Sequence, residues 1–548
     1  MRIENHLSTV GLLFGTLFFA LSLSPSLLPR GDTVQGIISG VSLAAGYGLG
    51  VISVWLWRYL ELPRPHERIQ HFIYLGSAAL CGLLVVSFLW QASQWQNRVR
   101  VLMGMEIVDD IRALLVGSIA LLIFLATLLI GKLFHQLQRM LSRKLRRIVP
   151  RRISHAAGLL IAFAVFWAVI DGVLIAFALH TADISHQQID ARIDPELEPP
   201  TAPMKTGSAA SLIAWKDMGR QGRRFISESP SAKDIEHLSG APAQDPIRVY
   251  VGLNAAATPQ ERAELALEEL KRVGGFERSI LVLIAPTGTG WIDPGGIEAL
   301  EYLYRGDVAS VAAQYSYLPS ALSLMAKGAY GVETTRALFQ AVYGHWTQLP
   351  RSSRPTLYIF GLSLGALHSD RSFDFYDIIN DPFNGALWSG PPFRTGTWRA
   401  ATDRRHPESP EWLPRFREGS VIRFANQQGG LEVGESPWGD FRIVFLQYAS
   451  DPITFFSPAS FYQEPDWMKP PRGPDVSEDL RWFPIVTMLQ LIADMIVGTA
   501  PAGYGHEYAV EHYLDAWFAL TEPEGWDEHE FDRLRKSLAN KKHPAALP

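Results

Sequence analysis

Three residues in this chain stand in an order that permits acyl-transfer chemistry: Ser363, Asp451 and His506. Ser363 lies in Gly361-Leu362-Ser363-Leu364-Gly365, directly after the apolar run Leu357–Phe360. A strand that turns sharply at a serine and opens a helix exposes the hydroxyl, and small flanking residues let strand and helix cross closely. A bare Gly-x-Ser-x-Gly also arises as an ordinary tight turn; the preceding strand is what raises the catalytic reading. A serine hydroxyl is a weak nucleophile until a histidine takes its proton, and that histidine needs an acid to fix its tautomer. Asp451 follows the apolar run Arg442–Tyr448, in Ala449-Ser450-Asp451-Pro452. His506 stands in Gly503-Tyr504-Gly505-His506-Glu507-Tyr508, ahead of a helix containing Tyr513 and Trp517. The competing readings are a turn or cap for Asp451 before Pro452, and a solvent-exposed loop side chain for His506. His512 falls inside the following helix, His368 lies close behind the serine on its own helix, and neither Asp370 nor Asp381 follows a late strand.

An oxyanion needs two backbone donors. One is the amide after the nucleophile, Leu364, and the other comes from the loop after an earlier strand. The turn Pro286-Thr287-Gly288-Thr289-Gly290-Trp291 supplies that loop, with Gly288 and Thr289 as the candidate donors. No Lys-Ser or Lys-Thr follows it, which argues against a phosphate cradle. The lone cysteine, Cys81, sits in an apolar run, so disulfide frameworks and thiolate metal clusters are excluded. No cofactor or metal is expected. A net charge of −5 over 548 residues gives no sign of nucleic-acid binding.

The elements that position these residues alternate. Strands are expected at Ile247–Leu253, Ser279–Ala285, Ala309–Tyr315, Thr356–Phe360, Asn384–Trp388 and Arg442–Tyr448. Helices are expected at Pro259–Val273, Gly296–Tyr304 and Glu333–Trp346. That alternation predicts an α/β domain over 247–548 with a mainly parallel sheet. The stretch at about 391–440, rich in Arg, Trp, Pro and Gly, reads as a lid insertion, with a long structured loop as the alternative.

The first third is different. Five apolar segments reach the length of about 20 residues that a membrane-crossing helix needs. They are Leu7–Leu28, Val34–Trp57, Phe72–Trp90, Ala113–Phe134 and Ala156–Leu179, an all-α transmembrane domain over 1–180. Arg2 ahead of the first would also suit a signal peptide, but the four spans behind it favour an uncleaved helix. Gly36-x-x-x-Gly40 and Gly46-x-x-x-Gly50 in the second predict close helix packing. Eight basic residues between Lys132 and Arg152 mark the loop between spans four and five as cytoplasmic. The N-terminus and the loop with Arg58, Arg64 and Arg68 are then cytoplasmic, and the chain after the fifth span is extracytoplasmic. Arg98, Arg100 and Arg112, with Asp109 and Asp110 beside them, dissent on the outer side. Asp171 lies within the fifth span, where a carboxyl is either functional or a packing group.

Residues 181–246 have a linker composition, with Asp194-Pro195-Glu196-Leu197-Glu198-Pro199-Pro200 as its clearest part. Arg220, Arg223 and Arg224 within it either meet lipid headgroups or form a salt-bridged surface. The stretch Trp482–Val497 is short and contains Asp494, so it reads as an amphipathic helix near the membrane rather than a sixth span.

At this point the chain resembles a family of bacterial membrane-bound α/β-hydrolases with a multi-span N-terminal domain and a C-terminal catalytic domain. The resemblance rests on Ser22–Arg30, Gly219–Phe225, Thr287–Pro294, Gln314–Ser320 and the Ser363 turn. It implies a serine-hydrolase fold in which Ser363, Asp451 and His506 match the catalytic positions. It supplies no substrate, and Leu362 stands where a polar or acidic residue is common. The expectation is a multi-pass plasma (inner) membrane serine hydrolase of the esterase or lipase kind. Its partners would be the lipid bilayer and an acyl ester of lipid or cell-envelope origin. An acyltransferase using the same triad, and a membrane transport or assembly protein carrying an inactive hydrolase domain, are the alternatives.

Overall fold

The computed structural model describes residues 7–63, 66–108, 112–432 and 436–541. Arg2, Arg64, Asp109 and Asp110 lie outside these described residues. By packing, the chain forms two units. One joins residues 1–178 with 456–501, and the other joins 179–455 with 502–548. Residues 456–501 lie within the stretch the sequence assigns to the α/β domain, yet they pack with the N-terminal helices.

The first unit holds helices α1 (Thr9–Ser22), α2 (Asp32–Tyr59), α3 (Glu67–Leu102), α4 (Ala113–Leu145) and α5 (Arg151–Val169). The last four are long and apolar enough to cross a membrane. The expectation of five spans fails at α1, whose 14 residues fall short of the roughly 20 required. Its apolar run is cut at Ser22, and Leu23–Arg30 leaves the helix instead of prolonging it. After α5 the chain passes through a π-helical turn, Ile170–Ile175, which contains Asp171, and on into α6 (Ala176–Ala191).

The two small-residue pairs of α2 seat different neighbours. A Cβ on Gly36 or Gly40 would lie 2.7 Å from the Cβ of Ile119 or Ile123 on α4. A Cβ on Gly46 would lie 2.5 Å from the Phe14 carbonyl of α1, and one on Gly50 2.8 Å from Gly11 Cα. The small residues therefore let these helices approach closely, and dispersion contacts hold them.

The segment Ser22–Arg30 has buried backbone groups that need partners. The short helix Val486–Val497 provides them. Its Asp494 accepts from Ser26 Oγ at 2.9 Å and from the Leu27 and Leu28 amides at 3.1 and 3.5 Å. Its Gln490 donates to the carbonyls of Ser22 and Ser24 at 3.2 and 3.0 Å. The polar residues of this helix thus face protein, not water or lipid headgroups.

The second unit is built on a seven-stranded sheet in the order β1-β3-β2-β4-β5-β7-β6. Its strands are β1 (Ile247–Val251), β2 (Ile280–Ala285), β3 (Val308–Ala313), β4 (Thr356–Leu362), β5 (Gly385–Ser389), β6 (Ile422–Ala425) and β7 (Arg442–Leu446). Every pairing is parallel. All residues of β2 and β3 are buried, the unbroken apolar run of β2 and the largely apolar one of β3 both suiting strands covered by helices on both faces. Helix Pro259–Arg272 starts on a capping box between Thr258 and Glu261. Helix Pro294–Leu303 begins two residues before the expected start because Asp293 caps it and Pro294 occupies its first turn.

One strand escaped the sequence reading. β6 lies inside the stretch expected to be a lid, and it pairs along β7 as the edge of the sheet. Its four residues are too few to show a period. The insertion is therefore partly structural, with helix Gly396–Asp403 also built from it.

Candidate active site

The strand order reverses beside β2: β3 lies on one side of it and β4 on the other. In a parallel sheet the crevice outside the carboxyl ends at such a reversal is where ligands bind. β2 ends there in the Thr287–Trp291 turn, and β4 ends there at Ser363.

Ser363 carries φ 55° and ψ −121°, a conformation that L-residues rarely adopt. Neighbouring backbone holds it there. Its amide donates to the Ser389 carbonyl at the end of β5 at 2.9 Å, and its carbonyl accepts from Leu367 at 3.2 Å. The two glycines of the motif are needed for close approach. A Cβ on Gly361 would lie 2.5 Å from the Gly365 carbonyl carbon, and one on Gly365 2.1 Å from the Ala285 carbonyl oxygen. The side chain of Leu362 stays in the strand, buried.

Asp451 is wholly buried after β7 and opens the turn Pro452–Phe455. Both of its sequence readings describe it. Its Oδ1 accepts from the Ile453 amide at 2.9 Å and the Thr454 amide at 3.4 Å, which is capping. Its Oδ2 meets His506 Nδ1 at 2.7 Å and accepts from Tyr508 Oη at 2.8 Å and Thr454 Oγ1 at 3.2 Å. His506 is carried on a tight loop closed by a bond from the Gly503 amide to the Glu507 carbonyl. Ser450 Oγ accepts from the Gly505 amide at 2.8 Å, so the strand-end that bears the acid also holds the loop that bears the base.

The imidazole lies over the end of β5: a Cβ on Gly390 would be 2.5 Å from His506 Cε1. Ser363 bonds the residue just before it, so serine and histidine flank the same dipeptide, Ser389-Gly390. His506 Nε2 is buried and makes no hydrogen bond. Burial presses the ring toward its neutral form. The Asp451 carboxylate, with Glu507 and Asp293 farther off, outweighs that and raises the pKa above the ordinary histidine value.

The competitors are accounted for elsewhere. His512 bonds Tyr448 Oη through Nδ1 at 2.6 Å, and burial pushes its pKa down to about 4. His368 is buried edge-on against Tyr315, and burial again takes its pKa to about 4. Asp370 accepts from the Gly396 amide at 2.8 Å, and Asp381 pairs with Arg354 and Arg351. Among the described residues none of the four is hydrogen-bonded to Ser363.

Of the two amides proposed for the turn after β2, Gly288 donates to Ser320 Oγ at 3.3 Å. The Thr289 amide has no hydrogen-bond partner among the described residues. The turn is fixed from behind. Gln314 Nε2 donates to the Thr289 carbonyl at 3.1 Å, and Tyr250 Oη donates to the Gly290 carbonyl at 2.8 Å. Gln314 is fully buried and also accepts from the Leu253 amide at 3.1 Å. The scattered stretches Gly219–Phe225, Thr287–Pro294 and Gln314–Ser320 thus meet at one place.

The arginines of the connecting segment turn inward. Arg220 and Arg224 pair with Asp194 at 3.1 and 3.3 Å. Arg223 is wholly buried and donates to the carbonyls of Asp190 and Arg192. They belong to the salt-bridged reading, not to a headgroup-binding one.

Sequence reasoning missed Tyr508 and Asp293. Tyr508 Oη bonds Asp451, and only the fold brings them together. Asp293 accepts from Tyr513 Oη at 2.9 Å, and burial raises its pKa to about 7. Its place at the end of Thr287–Pro294 was the available signal. Among the described residues no group of three or more His, Cys, Asp or Glu side chains is placed to hold a metal ion.

A parallel α/β sheet with a strained serine turn and an acid–histidine pair at its carboxyl edge defines a hydrolase-like fold. Residues 247–534 match the model of an alpha/beta-hydrolase family, and residues 23–230 match the model of that family's N-terminus. The first match covers more than half of the chain, which therefore belongs to this alpha/beta-hydrolase family. No curated protein and no solved structure matches.

Proposed function

We propose that this protein is a membrane-anchored serine hydrolase acting on acyl esters, with Ser363 as nucleophile, His506 as general base and Asp451 as the acid that orients it. The observation that carries the reading is the 2.7 Å bond between Asp451 and His506 Nδ1, made beside the strained turn at Ser363. With Nδ1–H donated to Asp451, the free Nε2 is the acceptor that a serine hydroxyl needs. His506 takes the proton of Ser363 as Oγ attacks the acyl carbonyl, and the imidazolium is stabilised by Asp451. The amides of Leu364 and Thr289, with Gly288 as the other candidate of that turn, receive the oxyanion. One such donor is worth about 10²–10³ in rate. The proton on Nε2 then goes to the leaving alkoxide, and water repeats the sequence on the acyl-enzyme.

Four long apolar helices are compatible with membrane anchoring. The basic loop between α4 and α5 supports an extracytoplasmic catalytic domain at the plasma membrane, and this holds with four spans as with five, since only α5 follows that loop. Placement at a membrane favours a lipid or envelope ester as substrate. Labelling of membranes with a fluorophosphonate probe tests the reading. Wild type should label, and Ser363→Ala and His506→Ala should not; a folded wild-type chain that stays unlabelled would refute it.

A further inference from the structure

Within the first unit, the loop after Trp467 returns alongside the end of α3 and leaves an open cleft of about 760 Å³. Three arginines line it: Arg98 from α3, and Arg472 and Arg481 from the loop. Glu478 and Asp479 line it as well, and Asp479 is paired to Arg98 at 2.9 Å.

The other two guanidinium groups are held differently. Arg472 donates through Nε to the Met468 carbonyl at 2.9 Å, and through Nη1 to the carbonyls of Ser477 and Glu478 at 3.1 and 3.0 Å. Arg481 donates through Nη1 to the carbonyls of Glu478 and Leu480 at 2.6 and 3.0 Å. Among the described residues neither has a carboxylate within ion-pair distance. Burial lowers the pKa of Arg472 and the charge of Arg481 beside it lowers it further, against the carboxylates of Glu464 and Glu478, which raise it. Neutral carbonyls thus fix two like charges side by side, with Nη2 of each left over. Both Nη1 groups bond the same Glu478 carbonyl, so an anion with several acceptor oxygens lying beside them would gain charge-assisted hydrogen bonds from both side chains.

The position along α3 says which anion. Arg98 is about 12 Å along the helix axis beyond Trp90, where the apolar run ends. That is within one arginine side chain of the headgroup layer of a bilayer spanned by α3. Trp90 is exposed on the same helix, as an interfacial aromatic would be.

We propose that this cleft binds the phosphate of an anionic phospholipid headgroup, with Arg472 and Arg481 as its principal ligands and Arg98 at its membrane edge. The inference rests on the membrane-anchored reading above. Free phosphate shares the headgroup chemistry but lacks the acyl chains that would lie along the exposed flank of α3, so it should bind far more weakly.

The test uses the full chain in neutral detergent, followed by thermal melting and native mass spectrometry. Phosphatidylglycerol should raise the melting temperature and survive as a bound adduct, whereas phosphatidylcholine should do neither. Inorganic phosphate should act only at concentrations at least a hundredfold higher. R472Q/R481Q should weaken phosphatidylglycerol binding at least tenfold, with fluorophosphonate labelling unchanged. R481Q alone, at an exposed position, should show a smaller loss and serves if the double variant misfolds. Equal responses to the two lipids, wild-type binding by both variants, or phosphate as effective as phosphatidylglycerol would each overturn the proposal. Alkaline carbonate extraction separates the two readings: a chain that resists extraction yet ignores phosphatidylglycerol refutes the cleft alone, and a chain that is released refutes the anchoring.

Discussion

Replacing Asp451 with Asn tests the proposed site at the atom where the structure is most constrained. Oδ1 faces two backbone amides, Ile453 and Thr454, which cannot reorient. The Asn oxygen must therefore take the Oδ1 position, which leaves the amide nitrogen at Oδ2. There it meets His506 Nδ1 as a donor, so the ring must accept and carry its proton on Nε2. The second hydrogen of the new amide can go to Tyr508 Oη, which turns to accept it, and only the long Thr454 Oγ1 bond is lost, so the fold is kept. The wrong tautomer cannot take the serine proton. The expected loss is on the order of 10⁴-fold in the labelling rate constant, or about 5 kcal/mol in activation free energy.

The pH profile provides a second readout. In the wild type the rate should fall as pH drops through the raised pKa of His506, because only the neutral ring is a base. Removing the carboxylate charge leaves burial as the leading influence, so the inflection should move to lower pH while the plateau collapses. The assay is the second-order rate of fluorophosphonate labelling between pH 5 and 9, with ester hydrolysis as its companion. A variant within tenfold of wild type, with its inflection unmoved, would refute the assignment of Asp451.

Three further outcomes follow from the same geometry. Ser363→Gly relieves φ 55°, ψ −121° and should raise unfolding stability by about 1 kcal/mol while abolishing labelling; a lower melting temperature would contradict the strain argument. Gln314→Ala frees the Thr289 carbonyl and should lower the maximal inactivation rate on the order of tenfold without changing the half-saturating probe concentration, whereas a purely structural role would change only the melt. Asp494→Ala strands the amides of Leu27 and Leu28 and the Ser26 hydroxyl, and should destabilise the first unit by about 3 kcal/mol in a detergent melt; an unchanged melt would show that water replaces the carboxylate there.

The sequence by itself determined the local part of this protein. Short, largely apolar runs set six of the seven strands, because a buried parallel strand is mostly apolar on both faces. Gly361, Ser363 and Gly365 announce the turn because its backbone tolerates little else. Asp451 and His506 could be nominated from their places after a late strand and before a late helix. What sequence could not decide is which residues approach from far along the chain. β6 has too few residues for a period, and only pairing with β7 makes it a strand. Tyr508 sits 57 positions from Asp451, and Gln314 holds a turn 25 positions away, contacts with no local signature. α1 shows the same limit from the other side. Composition allowed a span from Leu7 to Leu28, but the chain leaves the helix at Ser22, where the distant Asp494 accepts from Ser26, Leu27 and Leu28 and Gln490 donates to the Ser22 and Ser24 carbonyls.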